Sequence, residues 1–136
     1  MEERKKVLLV DDDADFVAMN KRLLEQHSYE VFTAYNGAEC LDKVREKLPD
    51  LIILDMMMAT RSEGGSVSRT LRSWKQTKKI PLLMITSVNT TLPIRLEPDD
   101  EWLPVDLLIE KPVEPELLLE VVKGMLRRAP QEEPEG

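Results

Sequence analysis

The chain has 136 residues, 42% hydrophobic and 33% charged, a profile that fits one globular domain around one core. Its formal net charge is −7 and its basic residues form no long run. Nucleic acid is therefore not expected as a direct partner, although separated lysines and arginines can still meet in three dimensions. The single cysteine, Cys40, excludes an internal disulfide. Set among Ala38, Leu41 and Val44, it reads as a small core residue rather than a reactive thiol. Residues 1–6 are charged and the apolar run at 7–10 is too short for a secretory signal. No apolar stretch approaches the ~20 residues that span a bilayer. These features predict a cytoplasmic protein.

Short apolar runs alternate with amphipathic stretches along the chain. VLLV at 7–10 is the first run, 31–34 a weaker second, LIIL at 51–54 the third, LLMI at 82–85 the fourth and LLI at 107–109 the fifth. Runs apolar on both faces predict strands of a parallel sheet covered by helices. Asp13 is a suitable cap for a helix over 14–26, with Phe16, Met19 and Leu23 at helical spacing. Asn36-Gly37 marks a turn before a helix carrying Leu41, Val44 and Leu48, which Pro49-Asp50 ends. Val67, Leu71 and Trp74 predict a third helix, closed by the polar stretch 75–79 and Pro81. Pro93, Pro98 and Pro104 forbid a long helix between the fourth and fifth strands, so a short or irregular fourth helix is expected there. Pro115 opens a last helix with a stripe of Leu118, Val121, Val122 and Met125. The pattern is (βα)₅ in a single domain over 1–129. The Pro/Glu-rich segment 130–136 is predicted to be a disordered tail. No output domain or repeat is visible.

Ligands of open parallel sheets bind at the carboxyl ends of the strands. There the sequence supplies Asp11, Asp12 and Asp13 after the first run, Asp55 after the third, Thr86 and Ser87 after the fourth, and Glu110 and Lys111 after the fifth. Like-charged carboxylates ~4 Å apart repel by about 4 kcal/mol per pair at an effective dielectric near 20. A hard divalent cation removes that cost, and Mg²⁺ suits one or two carboxylates with phosphate and water. An Asp carboxylate can attack phosphorus to give an acyl phosphate, while a lysine and a hydroxyl bind the phosphoryl oxygens. Each piece alone has a plain structural reading: a helix cap, a turn aspartate, a strand-end hydroxyl, a surface lysine. The specificity lies in their order at successive strand ends.

The segments VLLVDDD, PDLIILDMMM, PLLMITS and LLIEKPVEPELLL resemble the four signature segments of response-regulator receiver domains, and the likeness runs over about 5–126. The resemblance implies a flavodoxin-like α/β fold with strand order 2-1-3-4-5. It implies that Asp55 accepts a phosphoryl group and that Asp11, Asp12, Asp55 and the main-chain carbonyl of Met57 hold Mg²⁺. It assigns Thr86 as the switch hydroxyl, Lys111 as the phosphate-binding lysine, and a cis Lys111-Pro112 bond. The implied partners are a sensor histidine kinase or phosphotransfer protein and a downstream protein target. Nucleic acid and membrane are not among them, and the expected state is a monomer or a phosphorylation-linked dimer. The role is regulatory rather than enzymatic.

The chain departs from the family pattern at several points. Leu108 stands where Tyr or Phe is usual, Ala59 stands where proline is usual, and Gly64-Gly65 falls about one residue late. Trp102, in the acidic stretch LPIRLEPDDEWLP, reads as a plug for that loop. His27 reads as a solvated helix end, and Met56 to Met58 as site lining rather than thioether ligands. Two rivals remain on sequence grounds. A Mg²⁺-dependent aspartyl phosphohydrolase would place its nucleophile after the first strand, with a second Asp two residues on, where this chain has Met57. A phosphorylation-independent pseudo-receiver would explain the missing aromatic, but not the intact acidic set. Met57 and Val88 flank the expected phosphorylation site, and neither can orient an attacking water. The acyl phosphate is therefore expected to hydrolyse more slowly than in a variant with polar residues at both positions, a comparison that phosphoryl release from purified protein makes directly.

Overall fold

The computed structural model describes residues 4–55, 63–86, 98 and 104–128. Met57, Val88, Trp102, the expected fourth helix and the tail at 130–136 lie outside the described residues. Within them the order is β1 (Lys6–Val10), α1 (Ala14–Gln26), β2 (Glu30–Ala34), α2 (Gly37–Lys47), β3 (Leu51–Asp55), α3 (Glu63–Ser73), β4 (Leu82–Thr86), β5 (Leu107–Glu110) and α4 (Pro115–Arg128). All strand pairs are parallel and the sheet order is β2-β1-β3-β4-β5, as the sequence pattern and the resemblance predict.

The doubly apolar strands explain the layering. Leu8, Val10, Ile52, Leu54, Leu82 and Met84 face α2 and α3, where Cys40, Val44, Val67 and Leu71 meet them. Val7, Leu9, Leu51, Ile53, Leu83 and Ile85 face α1 and α4, where Val17, Leu24, Leu118 and Val122 meet them. Each fully buried aliphatic side chain contributes roughly 1.5–3 kcal/mol, so β1, β3 and β4 form the spine of the domain. Cys40 is buried in this core, in keeping with its expected role.

Three expectations are corrected. Met19 is not on the inner face of α1; it is 63% exposed, and Val17, Asn20 and Leu24 are buried instead. Phe16 and Leu23 flank that stripe half-buried, so the inner face is rotated from the one expected. Leu48 does not continue the apolar face of α2; it is the C-cap, in the left-handed region and half-exposed. β5 is not buried on both faces, because it pairs only with β4 at the sheet edge. Its Leu108 packs half-buried against the α2–α3 side of the core.

The amino ends of the strands are tied by a repeated device. Asp50, just before β3, donates its N–H to the Lys6 carbonyl (2.8 Å), and its carboxylate accepts the Lys6 N–H (2.7 Å). Asp106, just before β5, does the same with Leu82, at 2.9 and 2.7 Å. Each aspartate therefore satisfies a strand-end amide that the ladder leaves over. Arg72, from α3, gathers this end together. Its guanidinium donates to the carbonyls of Pro104, Lys78 and Ile80 and to the Asp106 carboxylate, at 2.7–3.0 Å. Arg72→Ala is expected to destabilise the domain by about 2–4 kcal/mol in urea unfolding, since charge-assisted bonds to half-buried acceptors are lost together. Exposed Lys21→Ala, which breaks only an i,i+4 pair, should change stability by less than about 0.5 kcal/mol.

Candidate functional site

Parallel pairing decides which strand ends meet. Val10 lies opposite Leu54 and Ala34, and Asp55 lies opposite Ile85. Asp11, one step past β1, therefore stands beside Asp55, the last residue of β3. Thr86 ends β4 and pairs with Glu110 of β5, so Lys111 leaves the sheet next to it. The Lys111 N–H donates to the Thr86 carbonyl at 2.9 Å, and the Lys111-Pro112 peptide is cis, as expected. The topology thus gathers residues from four strand ends on one rim.

Carboxylate oxygens of Asp11, Asp12 and Asp55 all lie within 4.8 Å of one another. Asp11 and Asp55 are buried and Asp12 is exposed. Asp11 is anchored from several directions. Its N–H donates to the Ala34 carbonyl (3.1 Å), its Oδ1 accepts the Asp13 N–H (3.0 Å), and its Oδ2 accepts the Lys111 ammonium at 2.9 Å. Asp13 belongs to the scaffold: its carboxylate caps α1 through the N–H groups of Asp15 and Phe16, at 3.0 and 3.2 Å. This cap starts α1 immediately after the acidic pair and keeps the positive end of the helix dipole beside the rim.

Two features of the site were not read from the sequence. The Lys111 ammonium rests on Asp11, and it also lies 4.5 Å from the centroid of the Phe16 ring. Sequence spacing alone gives Phe16 a place in the apolar pattern of α1; its position one turn beyond the acidic pair is the signal that marks it for this contact. The cation thus sits between a buried carboxylate and an aromatic face. Thr86 is fully buried. The coordination expected from the Met57 carbonyl lies outside the described residues.

The donor set fits a small hard cation. Octahedral Mg²⁺ holds oxygens at about 2.1 Å, which puts ligand oxygens roughly 3–4.2 Å apart. Oxygens already within 4.8 Å reach that spacing with small side-chain movements. Among the described residues, no soft or imidazole ligand of the kind that favours a transition metal joins this cluster.

Comparison with known proteins agrees with the fold. The model of the response regulator receiver domain matches residues 7–123. The alkaline phosphatase synthesis transcriptional regulatory protein PhoP of Bacillus subtilis is 35% identical over 129 residues; the match covers 92% of this chain and 50% of PhoP. The chain thus spans about half the length of the curated relatives it matches. Among solved structures, chemotaxis response regulator CheY4 of Vibrio cholerae is 30% identical with a TM-score of 0.75, over 89% of this chain and 98% of CheY4. A CheY-like receiver domain protein of Methanospirillum hungatei is 26% identical with a TM-score of 0.78, over 96% of this chain and 100% of its own.

Lys111→Met leaves the buried Asp11 carboxylate without its ammonium and next to two further acids. In metal-free buffer it should lower stability by roughly 2–4 kcal/mol, read by urea unfolding.

Proposed function

The chain belongs to the response regulator receiver domain family of two-component signalling, and on that premise we propose that it is a phosphoryl-accepting switch whose acceptor is Asp55. The observation that carries the reading is the meeting of Asp11, Asp12 and Asp55 within 4.8 Å, with the Lys111 ammonium bound to Asp11. A buried carboxylate in such a cluster supports this reading, because neighbouring acids that can share a cation, and a nearby lysine, are the groups an incoming phosphoryl group needs.

In the proposed transfer, an Asp55 carboxylate oxygen forms a bond to phosphorus as the bond from phosphorus to the donor breaks. The electron pair leaves with the donor, a phosphohistidine imidazole or the carboxylate of a small acyl phosphate. Asp11, Asp12 and Asp55 would hold Mg²⁺, with the Met57 carbonyl as a further ligand. When bound, that ion offsets charge on the phosphoryl oxygens. Lys111 is proposed to exchange its contact with Asp11 for one with a phosphoryl oxygen, since a new dianion competes well with a single carboxylate. Thr86, at the end of the strand next to that of Asp55, supplies the hydroxyl that turns toward the same oxygens. Its movement would loosen the Thr86–Lys111 end of β4 and β5 and alter the surface beyond. A sensor kinase or phosphotransfer protein is the proposed donor, and another protein the proposed recipient of the signal. Among the described residues no helix is long and apolar enough to cross a membrane.

Incubation with a small acyl-phosphate donor and Mg²⁺ should add one phosphoryl group, detected by intact-protein mass. Chelation of the metal, or Asp55→Ala, should abolish it. Lys111→Met should slow it by about 10²-fold or more, the typical effect of removing one preorganised donor to a transferring group. Labelling that persists in Asp55→Ala would move the acceptor elsewhere. A fully folded protein that never labels would favour the pseudo-receiver reading.

A further inference from the structure

The pole opposite the acidic rim carries a cleft. It has a volume of about 430 Å³ and is lined by Arg45, Leu48, Trp74, Gln76 and Thr77. Its floor is preformed. Thr77 is buried, and its hydroxyl donates to the carbonyls of Leu71 and Trp74, which fixes the turn that presents the indole.

Three independent features single this cleft out. The first is backbone strain. Leu48 caps α2 with φ of 45°, a conformation for which glycine or asparagine is the low-energy choice. A branched apolar side chain is nevertheless held there with 49% of its surface in water. Folding alone gains little from that choice, and strain of this kind concentrates at ligand sites. The second is the state of Arg45. Its guanidinium carbon lies over the Trp74 ring, 4.5 Å from the centroid, a cation–π contact. Its pairing with Asp42 is long, at 3.7 Å, between two largely exposed side chains, and is readily exchanged for an incoming carboxylate. The third is charge. In a chain of net −7, residues 64–81 contain Arg69, Arg72, Lys75, Lys78 and Lys79 and no acid. Lys75, Lys78 and Lys79 are exposed beside the cleft residues Trp74, Gln76 and Thr77.

We propose that this cleft docks an acidic peptide segment of a partner protein. One apolar side chain of the segment seats between Leu48 and Trp74, and flanking carboxylates pair with Arg45 and the neighbouring lysines. A cleft of this volume accepts one or two side chains, and its combination of indole, leucine and cation matches an apolar anchor flanked by acids. Nucleic acid is the poorer fit, because its backbone needs a longer cationic track and gains nothing from Leu48. The surface acts independently of the chemistry at Asp55, so its test stands apart from phosphoryl labelling.

The test is selection of peptides from a random displayed library on the full chain, followed by binding of a labelled synthetic peptide carrying the enriched motif. The expected motif is one aromatic or aliphatic residue flanked by Asp or Glu. Arg45→Glu should weaken binding by about 10-fold or more, and Leu48→Gly by about 5-fold or more. Leu48→Gly should also leave the melting temperature level or raised, because relief of the left-handed strain offsets the half-buried contact. Lys21→Glu, on α1, should leave binding unchanged. The proposal is overturned by failure to enrich any peptide, by a motif without acids, or by binding indifferent to both cleft substitutions. Tighter binding of a short single-stranded oligonucleotide at the same residues would overturn it equally.

Discussion

The rim of this domain is organised around unfavourable electrostatics: three carboxylates whose oxygens lie within 4.8 Å, two of them out of water. Such a group does not form by mutual attraction. It persists because the sheet forces β1 and β3 side by side, and their register leaves Asp11 and Asp55 no other place. The sheet in turn is held by apolar burial on both faces, which is large enough to outweigh a repulsion of a few kcal/mol. Lys111 offsets part of the remaining charge by its contact with Asp11, and the Phe16 ring supports the cation. A cluster held together against its own repulsion is poised to take up positive charge.

The two poles of the sheet solve opposite problems. At the amino ends, Asp50 and Asp106 each pair with a backbone amide of the neighbouring strand, and Arg72 binds three carbonyls and Asp106 together. These charged groups are engaged with backbone amides and carbonyls, and the contacts are structural. At the carboxyl ends the acids outnumber the nearby cation, and that mismatch leaves a net negative cluster able to take up a cation. The rigidity of the first pole helps to keep the second in register, because every strand of the spine spans both.

The rim is also tied directly to the edge of the sheet. Thr86 and Lys111 are joined through the main chain, by the Lys111 N–H and the Thr86 carbonyl, at the ends of β4 and β5. β5 is a half-exposed edge strand, so small displacements there meet less resistance from packing than they would in β3 or β4. Leu108, at the position where an aromatic is usual, packs against the core through an aliphatic side chain. Position 108 therefore offers no aromatic ring to swing at this edge of the sheet.

Much of this was legible in the chain itself. Apolar runs flanked by capping and turn residues marked the strands and helices, because burial on both faces of a parallel strand leaves a run that is hard to mistake. The order of Asp11, Asp12, Asp55, Thr86 and Lys111 at strand ends marked the rim, because topology carries strand-end residues there whatever lies between. Tertiary structure decided what depends on rotation and reach. Met19 points to water and Leu48 ends its helix, since a helix face is set by its neighbours as well as by periodicity. The contact of Lys111 with Asp11 and Phe16, the clamp made by Arg72, and the pairing of Arg45 with Trp74 join residues far apart in the chain. No local pattern encodes such contacts; they exist only once the layers have packed.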